Sequence, residues 1–470
     1  MGSMLLLIIR PNLIRILLGW DGLGVTSYLL VIYYQRRKSV NAGIITIIRN
    51  RVGDVLILLG LGLFLGMGSW NIFVYSLYDW IVENKVFLLI ITIAATTKRA
   101  QIPFRAWLPA AIAAPTPVSS LVHSSTLVTA GVYLIFRFNQ IFFSRGVLMY
   151  ILVVGGFTMI IAGFRALLEI DIKKVVALST LRQLGLMIRI IGIGEFNVAY
   201  FHLLVHAYFK AILFIRVGRI IHISIDYQDL RKISLYYWRC RLRVGFIVIS
   251  NLSLMGTPFI SGFYSKDLFL EISYISGINF IYLMVLLIRT ALTAAYRVRF
   301  VIVVLFTENL SFSLNWVKDR DSIIHKSIRG LILLSVFGGR ILMWFIFSVP
   351  KIIYIPLEWK NLTLLVIIIG RIRGIIRVKF KIISRKVIWL GGTLFSMGAV
   401  RRRIIIKEVY LRSSVIKRGL DNFWFPLIIF GGVVNFIIKV FDLMDNIQLK
   451  YFVSHLLVIF RGLLVLVLVY

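Results

Sequence analysis

The sequence is poor in the residues that build disulfide-rich domains and metal or redox centres. Its 470 residues include a single cysteine, Cys240, which excludes an internal disulfide and a cysteine-built metal or iron–sulfur site. Acidic residues are also few, 19 against 54 lysines and arginines. The glycine-rich stretch 19–24 lies inside an apolar run and not at a strand-to-helix turn, so it does not predict a phosphate-binding loop.

Apolar residues are what the sequence has in excess. They make up 60% of the chain, with a mean hydropathy of +0.92, whereas a soluble domain is about 45–50% apolar. They fall into roughly twelve or thirteen runs near the ~20 residues that cross a bilayer. Examples are Leu13–Tyr34, Val52–Leu65, Ile151–Ala166, Val244–Ile260 and Ile281–Leu305. Because these runs are too continuous for the alternating strands of a barrel, the sequence predicts an all-α, polytopic transmembrane helical bundle.

The distribution of these runs predicts four segments. Residues 1–310 are dense in helices with short turns, and residues 311–400 hold further transmembrane helices after a polar connection at 311–327. Residues 401–450 mix basic, aromatic and acidic positions, which is typical of an amphipathic helix that lies along a surface. Residues 451–470 are long enough to form a final transmembrane helix.

Ionisable residues inside apolar runs are candidates for function, because a charge in a membrane is expensive to bury. His202, His206 and Lys210 recur every four residues, which places them on one face of a helix. The other candidates lie in apolar or proline-containing stretches: Asp21, Lys98, His123, Lys266 and Asp267. Burial disfavours the charged form of lysine and a nearby carboxylate restores it, while histidines pass protons along water chains.

Prolines accompany several of these residues. Pro103 follows Lys98, Pro115 and Pro117 precede His123, and Pro258 precedes Lys266. Proline breaks a helix and frees carbonyls, as in the discontinuous helices at transporter midplanes. Together the pattern predicts proton handling, although any single buried lysine or histidine could be a structural pair between helices. Asp54, three residues after Arg51, has a plain alternative as an intrahelical ion pair.

Six stretches resemble the antiporter-like fifth subunit of mitochondrial respiratory complex I. They are residues 19–31, 41–58, 98–134, 171–187, 202–214 and 256–271. The proline-rich stretch 98–134 is the most specific, and the resemblance is close over residues 5–300 and weak beyond 311. It implies inverted repeats with broken helices, and a C-terminal lateral amphipathic helix at 401–450 that runs along neighbouring subunits.

The resemblance also implies roles. Asp21 is the membrane acid that pairs with Lys98 on a broken helix, and His123 with His202 or His206 forms the relay. Lys210 bridges to the exit lysine Lys266, beside Asp267. The implied function is proton translocation across the mitochondrial inner membrane, coupled to NADH oxidation by ubiquinone elsewhere in the complex.

The implied partners are the other membrane subunits of the complex, especially the neighbouring antiporter-like subunit, together with membrane lipids. No cofactor is expected on this chain; NAD, FMN, iron–sulfur clusters and ubiquinone are expected on other subunits. A sodium/proton antiporter subunit and a non-pumping membrane scaffold remain as alternatives.

Three departures from the family pattern stand out. Asp21 occupies a place where many members carry the longer Glu. The family has about a hundred more residues upstream, so the first inverted repeat is expected to be incomplete here, with the reading frame continuing before Met1 by four or five helices' length. Arginines also stand where the family carries serine or another small residue, as at Arg99, Arg105, Arg182 and Arg219.

The arginines give the chain a formal charge of +35 and a pI near 10.6, which by itself would suggest nucleic acid as a partner. Their position inside apolar runs argues against nucleic acid, since each arginine at a helix centre costs about 2.5–3.5 kcal/mol.

Either these arginines line hydrated cavities or many of them are serine in the protein as made. Some animal mitochondrial codes read AGA and AGG as serine, and AUA as methionine. The sequence predicts serine at ten positions: Arg10, Arg15, Arg49, Arg99, Arg105, Arg182, Arg216, Arg219, Arg289 and Arg297. It predicts genuine arginine at helix ends or beside acids: Arg51, Arg137, Arg231 and Arg299.

Overall fold

The structure is a computed structural model in which the chain divides into two compact units, Met1–Ser396 and Met397–Tyr470. The residues that it describes are 2–10, 12–64, 85–105, 107–112, 114–121, 125–139, 145–224, 227–233, 241–276, 280–306, 322–347, 353–380, 414, 435, 438–443, 454 and 457. In the second unit the described residues include a short helical stretch at 438–443.

Helices account for the fold of the first unit. In chain order they are α1 (Gly2–Ile9), α2 (Leu13–Ile32), α3 (Arg37–Phe64), α4 (Lys85–Lys98), α5 (Trp107–Ala111), α6 (Thr116–Leu121), α7 (Leu127–Arg137), α8 (Arg145–Leu168), α9 (Ile172–Ile193), α10 (Phe196–Ile223), α11 (Arg241–Met255), α12 (Ser261–Ile275), α13 (Phe280–Leu305), α14 (Ser322–Ile346) and α15 (Leu357–Phe380). Across the described ranges the extended structure is limited to isolated bridge residues, among them the pair Asp171 and Asp229. The predicted all-α class is confirmed.

Five of the described helical stretches are long and apolar enough to cross a membrane: Leu13–Ile32, Gly146–Leu168, Ile172–Ile193, Phe196–Ile223 and Ser327–Ile346. Helices α3, α13 and α15 are also long, with 28, 26 and 24 residues, but each carries three or more charged residues. The most buried span is α9, in which 94% of the apolar window lies inside the protein. Helix α9 is therefore the centre of the bundle.

Small residues let the central helices approach closely. Helix α8 packs along α9, and a Cβ atom on Gly155 of α8 would stand 3.0 Å from the carbonyl oxygen of Gly185 on α9. Helix α15 packs along α13 in the same way, with Gly370 and Gly374 against the backbone of Ala291 and Ala295. Two glycines four residues apart lie on one helix face, which is the usual device for close packing of membrane helices.

The helices are broken where prolines were expected to break them. Helix α4 ends at Lys98 and α5 begins at Trp107 beyond Pro103, and the indole Nε1 of Trp107 donates to the freed carbonyl of Thr97 at 3.0 Å. The apolar run 244–260 is not one helix, because α11 ends at Met255 and α12 begins at Ser261. Between them Gly256 has φ of +82°, a conformation that glycine adopts readily and other residues do not.

The predicted division into four segments is not tested by these observations. Of the polar connection predicted at 311–327, residues 311–321 lie outside the described residues, whereas 322–327 belong to α14. Most of 401–450 and 451–470 also lies outside the described residues. The lateral amphipathic helix therefore stays a prediction.

Candidate functional site

A row of buried titratable side chains lies on α10. His202, His206 and Lys210 are 1%, 0% and 0% exposed, although α10 is one of the spanning helices. The two imidazole rings lie 6.3 Å apart between centroids. The sequence spacing predicted that the three residues share one face, and all three are buried on it.

Neighbouring helices supply hydroxyl groups to both ends of this row. The Nδ1 atom of His202 lies 2.9 Å from the Oγ atom of Ser265 on α12. The Nζ atom of Lys210 donates to the Oγ atom of Ser179 on α9, and also to the carbonyl of Val176 at 3.4 Å. The row on α10 is thus linked to α9 at Lys210 and to α12 at His202.

Lys266 stands next to Ser265, at the break between α11 and α12. Its ammonium donates to the carbonyl oxygen of Met255, the last residue of α11, at 2.5 Å. Gly256 makes room for this contact, because a Cβ atom there would lie 3.3 Å from Nζ of Lys266. The Oδ1 atom of Asp267 is buried without a hydrogen-bond partner in the protein. The break therefore exposes a backbone acceptor to a lysine that is 1% exposed.

Lys98, at the end of α4, lies in a second buried cluster, with α2 and α3. It is fully buried, its ammonium donates to the carbonyl of Trp20, and its Nζ atom lies 4.0 Å from the centroid of the Trp20 ring. Asp21, the next residue on α2, is directed to Arg51 instead, with a distance of 3.3 Å between Nη1 and Oδ1. The structure brings Asp21 and Lys98 to one site without a direct ion pair between them.

Asp54 is a member of this cluster that sequence reasoning set aside. Its carboxylate is 3.7 Å from Arg51, so the expected i,i+3 ion pair is present. Asp54 is 6% exposed, and both its carboxylate and that of Asp21 act electrostatically on Lys98. The preceding residue, Gly53, packs directly against the hydroxyl of Thr97, which precedes Lys98. The signal that could have found Asp54 is its position inside the apolar run that begins at Val52.

Other residues were missed or lie outside the described ranges. Ser179, Ser265 and the carbonyl of Trp20 contact the lysines and histidines, but serines in membrane helices usually bond to their own backbone, so their sequence gives no signal. His123 lies outside the described residues. Within the parts of the chain that the structure describes, no group of three or more His, Cys, Asp and Glu side chains could hold a metal ion.

The arrangement suits proton exchange between neutral and charged partners. The side chains of lysine, histidine and serine can each donate a proton in a hydrogen bond, and each can accept a proton after losing its own. Both ring nitrogens of His206 are buried without a partner in the protein, and so is Nε2 of His202. Buried polar atoms are normally satisfied by protein or by internal water. The row therefore offers sites that water molecules can bridge.

Two family models cover almost the whole chain. Residues 11–293 match the family described as NADH:quinone oxidoreductase/Mrp antiporter, TM, and residues 296–470 match NADH dehydrogenase subunit 5 C-terminus. The chain is similar to NADH-ubiquinone oxidoreductase chain 5 of Locusta migratoria, with 43% identity over 97% of this chain and 83% of the relative. It is also similar to the Aedes aegypti protein of that name, with 42% identity over 97% of this chain and 80% of the relative.

Two solved structures share the fold. A chain of the Mrp complex from Dietzia sp. matches with a TM-score of 0.75 and 21% identity, over 93% of this chain and 51% of that chain. A chain of an archaeal membrane-bound sulfane sulfur reductase matches with a TM-score of 0.65 and 19% identity, over 80% of this chain and 76% of that chain. With broken helices around buried lysines and both halves matched by family models, the chain belongs to the NADH dehydrogenase subunit 5 family of antiporter-like membrane proteins.

Proposed function

We propose that the chain translocates protons across the mitochondrial inner membrane as a subunit of NADH:ubiquinone oxidoreductase. The observation that carries the proposal is the buried series of Lys98, Lys210 and Lys266 with the histidines of α10, inside a bundle of apolar helices. A membrane interior holds ionisable groups at a high energetic cost, so a series of them points to ion movement. The chain is a multi-pass membrane protein, and its work depends on other membrane subunits of the enzyme.

Lys98 is the proposed gate. Its ammonium form is stabilised by the carboxylates of Asp54 and Asp21, while Arg51 lies within 4 Å of both carboxylates. A shift of Arg51 towards Asp54 would neutralise that carboxylate and leave the Lys98 charge unsupported in a dry environment. Lys98 then releases its proton to the next acceptor, and a shift towards Asp21 restores the ammonium.

The row on α10 is the proposed transfer path. A proton that reaches Lys210 passes to His206 and His202 through bridging water, and the Ser265 hydroxyl connects His202 to the neighbourhood of Lys266. Lys266 and Asp267 form the exit. His123 belongs to the relay by its position in the sequence.

The remaining assignments follow from the family. The neighbouring antiporter-like subunit is the proposed principal partner, with membrane lipids around both, and residues 401–450 are the proposed lateral helix that connects them. NAD, FMN, iron–sulfur clusters and ubiquinone are proposed to bind other subunits, so this chain couples to electron transfer without holding an electron carrier.

Lysine substitutions separate a proton path from a scaffold. In the assembled complex, reconstituted in vesicles, Lys98→Ala and Lys266→Ala should leave assembly intact and reduce the protons moved per NADH. The fall in proton transfer through this subunit should be on the order of tenfold or more, since a positioned proton donor contributes about 10²-fold to 10⁴-fold. A pH-sensitive dye inside the vesicles measures the effect.

Lys174→Ala is the matched control. Lys174 lies on the central helix α9 and is an ion-paired lysine, held by Asp171 and Glu169, with 41% of its side chain exposed. Its removal should leave pumping unchanged. Normal pumping by both buried-lysine variants at normal assembly would make the chain a scaffold.

A further inference from the structure

Five arginines are buried in the membrane-spanning bundle with no acidic partner within 4 Å among the described residues. They are Arg99, Arg182, Arg189, Arg289 and Arg297, each at most 2% exposed. Each keeps at least two guanidinium nitrogens that are buried without a hydrogen-bond partner in the protein. An arginine interior to a protein is normally paired or fully hydrogen-bonded, because both its charge and its N–H groups are costly to bury.

The contacts that these side chains do make are to neutral groups. Arg99, Arg182 and Arg189 donate to the backbone carbonyls of Gly131, Arg289 and Tyr282. Arg289 donates to the side-chain oxygen of Gln183 at 3.1 Å, and Arg297 to that of Asn251 at 2.8 Å. None of these acceptors carries a negative charge that would offset the charge of the guanidinium.

Three of these arginines crowd the proton path with like charge. Arg182, Arg289 and Arg297 all act electrostatically on Lys266, and Arg297 also acts on Lys210 and His206. The acid that acts on Lys266 among the described residues is Asp267 alone. So much unbalanced positive charge around two lysines would oppose the arrival of any proton.

We infer that the five buried positions Arg99, Arg182, Arg189, Arg289 and Arg297 are occupied by serine in the protein as it is made. This inference does not depend on the proposed function. Serine fits the local geometry, because buried serines elsewhere in the bundle bond to the carbonyl three residues earlier on their own helix. Ser250 bonds to Ile247 at 2.9 Å, Ser253 to Ser250 at 2.8 Å and Ser273 to Leu270 at 2.7 Å. A mitochondrial code that reads AGA and AGG as serine supplies the substitution.

Burial together with two unsatisfied guanidinium nitrogens marks these five positions. Arg216 and Arg243 are each 1% exposed as well, but only the Nε atom of each lacks a hydrogen-bond partner. Arg189 was not among the ten positions predicted from the sequence, and the structure adds it. Arg10 and Arg15 were among the ten but are exposed, so burial gives no argument for them. Arg51 and Arg231, both predicted to be genuine, pair with acids: Arg51 with Asp21 and Asp54, and Arg231 with Asp229 at 3.6 Å.

Serine at position 297 would also open space beside the path. A cavity of about 10 Å³ is lined by Ser179, Asn251, Tyr296 and Arg297. That volume is about the minimum for one water molecule. Replacing the guanidinium by a hydroxyl enlarges the cavity next to the Ser179 hydroxyl that Lys210 contacts, and gives it polar walls.

Peptide mass spectrometry of the native subunit tests the inference. The subunit is taken from the purified complex and cleaved with chymotrypsin, so that the peptides do not depend on arginine. The expected result is serine at all five buried positions and arginine at 51 and 231 in the same digest. Arginine at the buried positions would overturn the inference. Serine at 51 and 231 would also overturn it, because burial without an acid would then not distinguish the two groups.

Discussion

At the residue scale, the two carboxylates near Lys98 differ in their surroundings. The side chain of Asp21 is 36% exposed and faces Arg51, whereas the Asp54 side chain is 9% exposed and has one oxygen without a hydrogen-bond partner in the protein. A buried carboxylate acts on a neighbouring charge through a lower effective dielectric than an exposed one. Asp54 is therefore the stronger electrostatic partner of Lys98, although Asp21 was the residue that the sequence indicated.

This difference predicts the order of two substitutions. Asp54→Asn should reduce the protons moved per NADH more than Asp21→Asn does, because it removes the buried charge that supports the Lys98 ammonium. Both variants keep nearly the same side-chain shape and should assemble. Proton uptake by vesicles containing each purified variant measures the order. If Asp21→Asn lowered the number of protons moved per NADH more than Asp54→Asn does, Asp21 would be the principal electrostatic partner of Lys98.

At the element scale, the break between α11 and α12 sets the position of Lys266. Met255 ends α11, Gly256 turns the chain with φ of +82°, and Lys266 reaches back to the Met255 carbonyl. The carbonyl is available because the helix ends at Met255, and Pro258 disfavours its continuation. The geometry of the exit site is thus a property of the turn and of the helix that follows it.

Gly256→Ala should disturb this break. The left-handed conformation costs a residue with a Cβ atom about 1–2 kcal/mol, and the new Cβ would stand 3.2 Å from Cδ of Lys266. The expected outcome is a lower thermal stability of the subunit and fewer protons moved per NADH. Gly245→Ala is the control on α11. Among the described residues, no atom other than its chain neighbours and its own helix backbone lies within 4 Å of a Cβ there, and alanine in a helix is favoured over glycine by about 0.5–1 kcal/mol. Equal behaviour of the two variants would show that the turn does not position Lys266.

At the scale of the whole molecule, the described apolar interior encloses lysine, histidine and hydroxyl groups around α9 and α10. Sodium sites in membrane transporters are built from oxygen ligands, such as carbonyls at helix breaks. In the described part of the chain the carbonyl of Trp20, within α2, and that of Met255, at the end of α11, accept from lysines. The carboxylates of Asp21 and Asp54 face Arg51. Both carbonyls and the Asp21 carboxylate are therefore engaged by cationic side chains, and the oxygens left without a hydrogen-bond partner on Asp54 and Asp267 are single atoms of separate carboxylates.

This arrangement predicts that transport does not require sodium. Vesicles containing the complex should acidify to the same extent per NADH in potassium medium free of sodium as in sodium medium. Uptake of radioactive sodium driven by NADH should be absent, with an uncoupler as the control that collapses the proton gradient. Sodium uptake in proportion to NADH oxidation would favour the sodium/proton antiporter alternative.

The sequence by itself determined the class of the protein and the identity of most candidate residues. Apolar runs of membrane-spanning length must be helices, because only helices satisfy their own backbone in lipid without closing a barrel. The four-residue spacing of His202, His206 and Lys210 fixed a common face, because the helix repeat is 3.6 residues. The prolines near Lys98 and Lys266 located the breaks.

Only the tertiary structure decided which groups meet. Lys98 contacts Trp20 across 78 residues of sequence, His202 meets Ser265 across 63, and Arg51 joins Asp21 across 30. No local spacing encodes such contacts, since they depend on how α2, α3 and α4, or α10 and α12, pack against one another. The same reason explains why the sequence did not identify Asp54 as a partner of Lys98 or Arg189 as a buried arginine. A sequence shows that a charge lies in an apolar run, but only the packing shows whether that charge has a partner there.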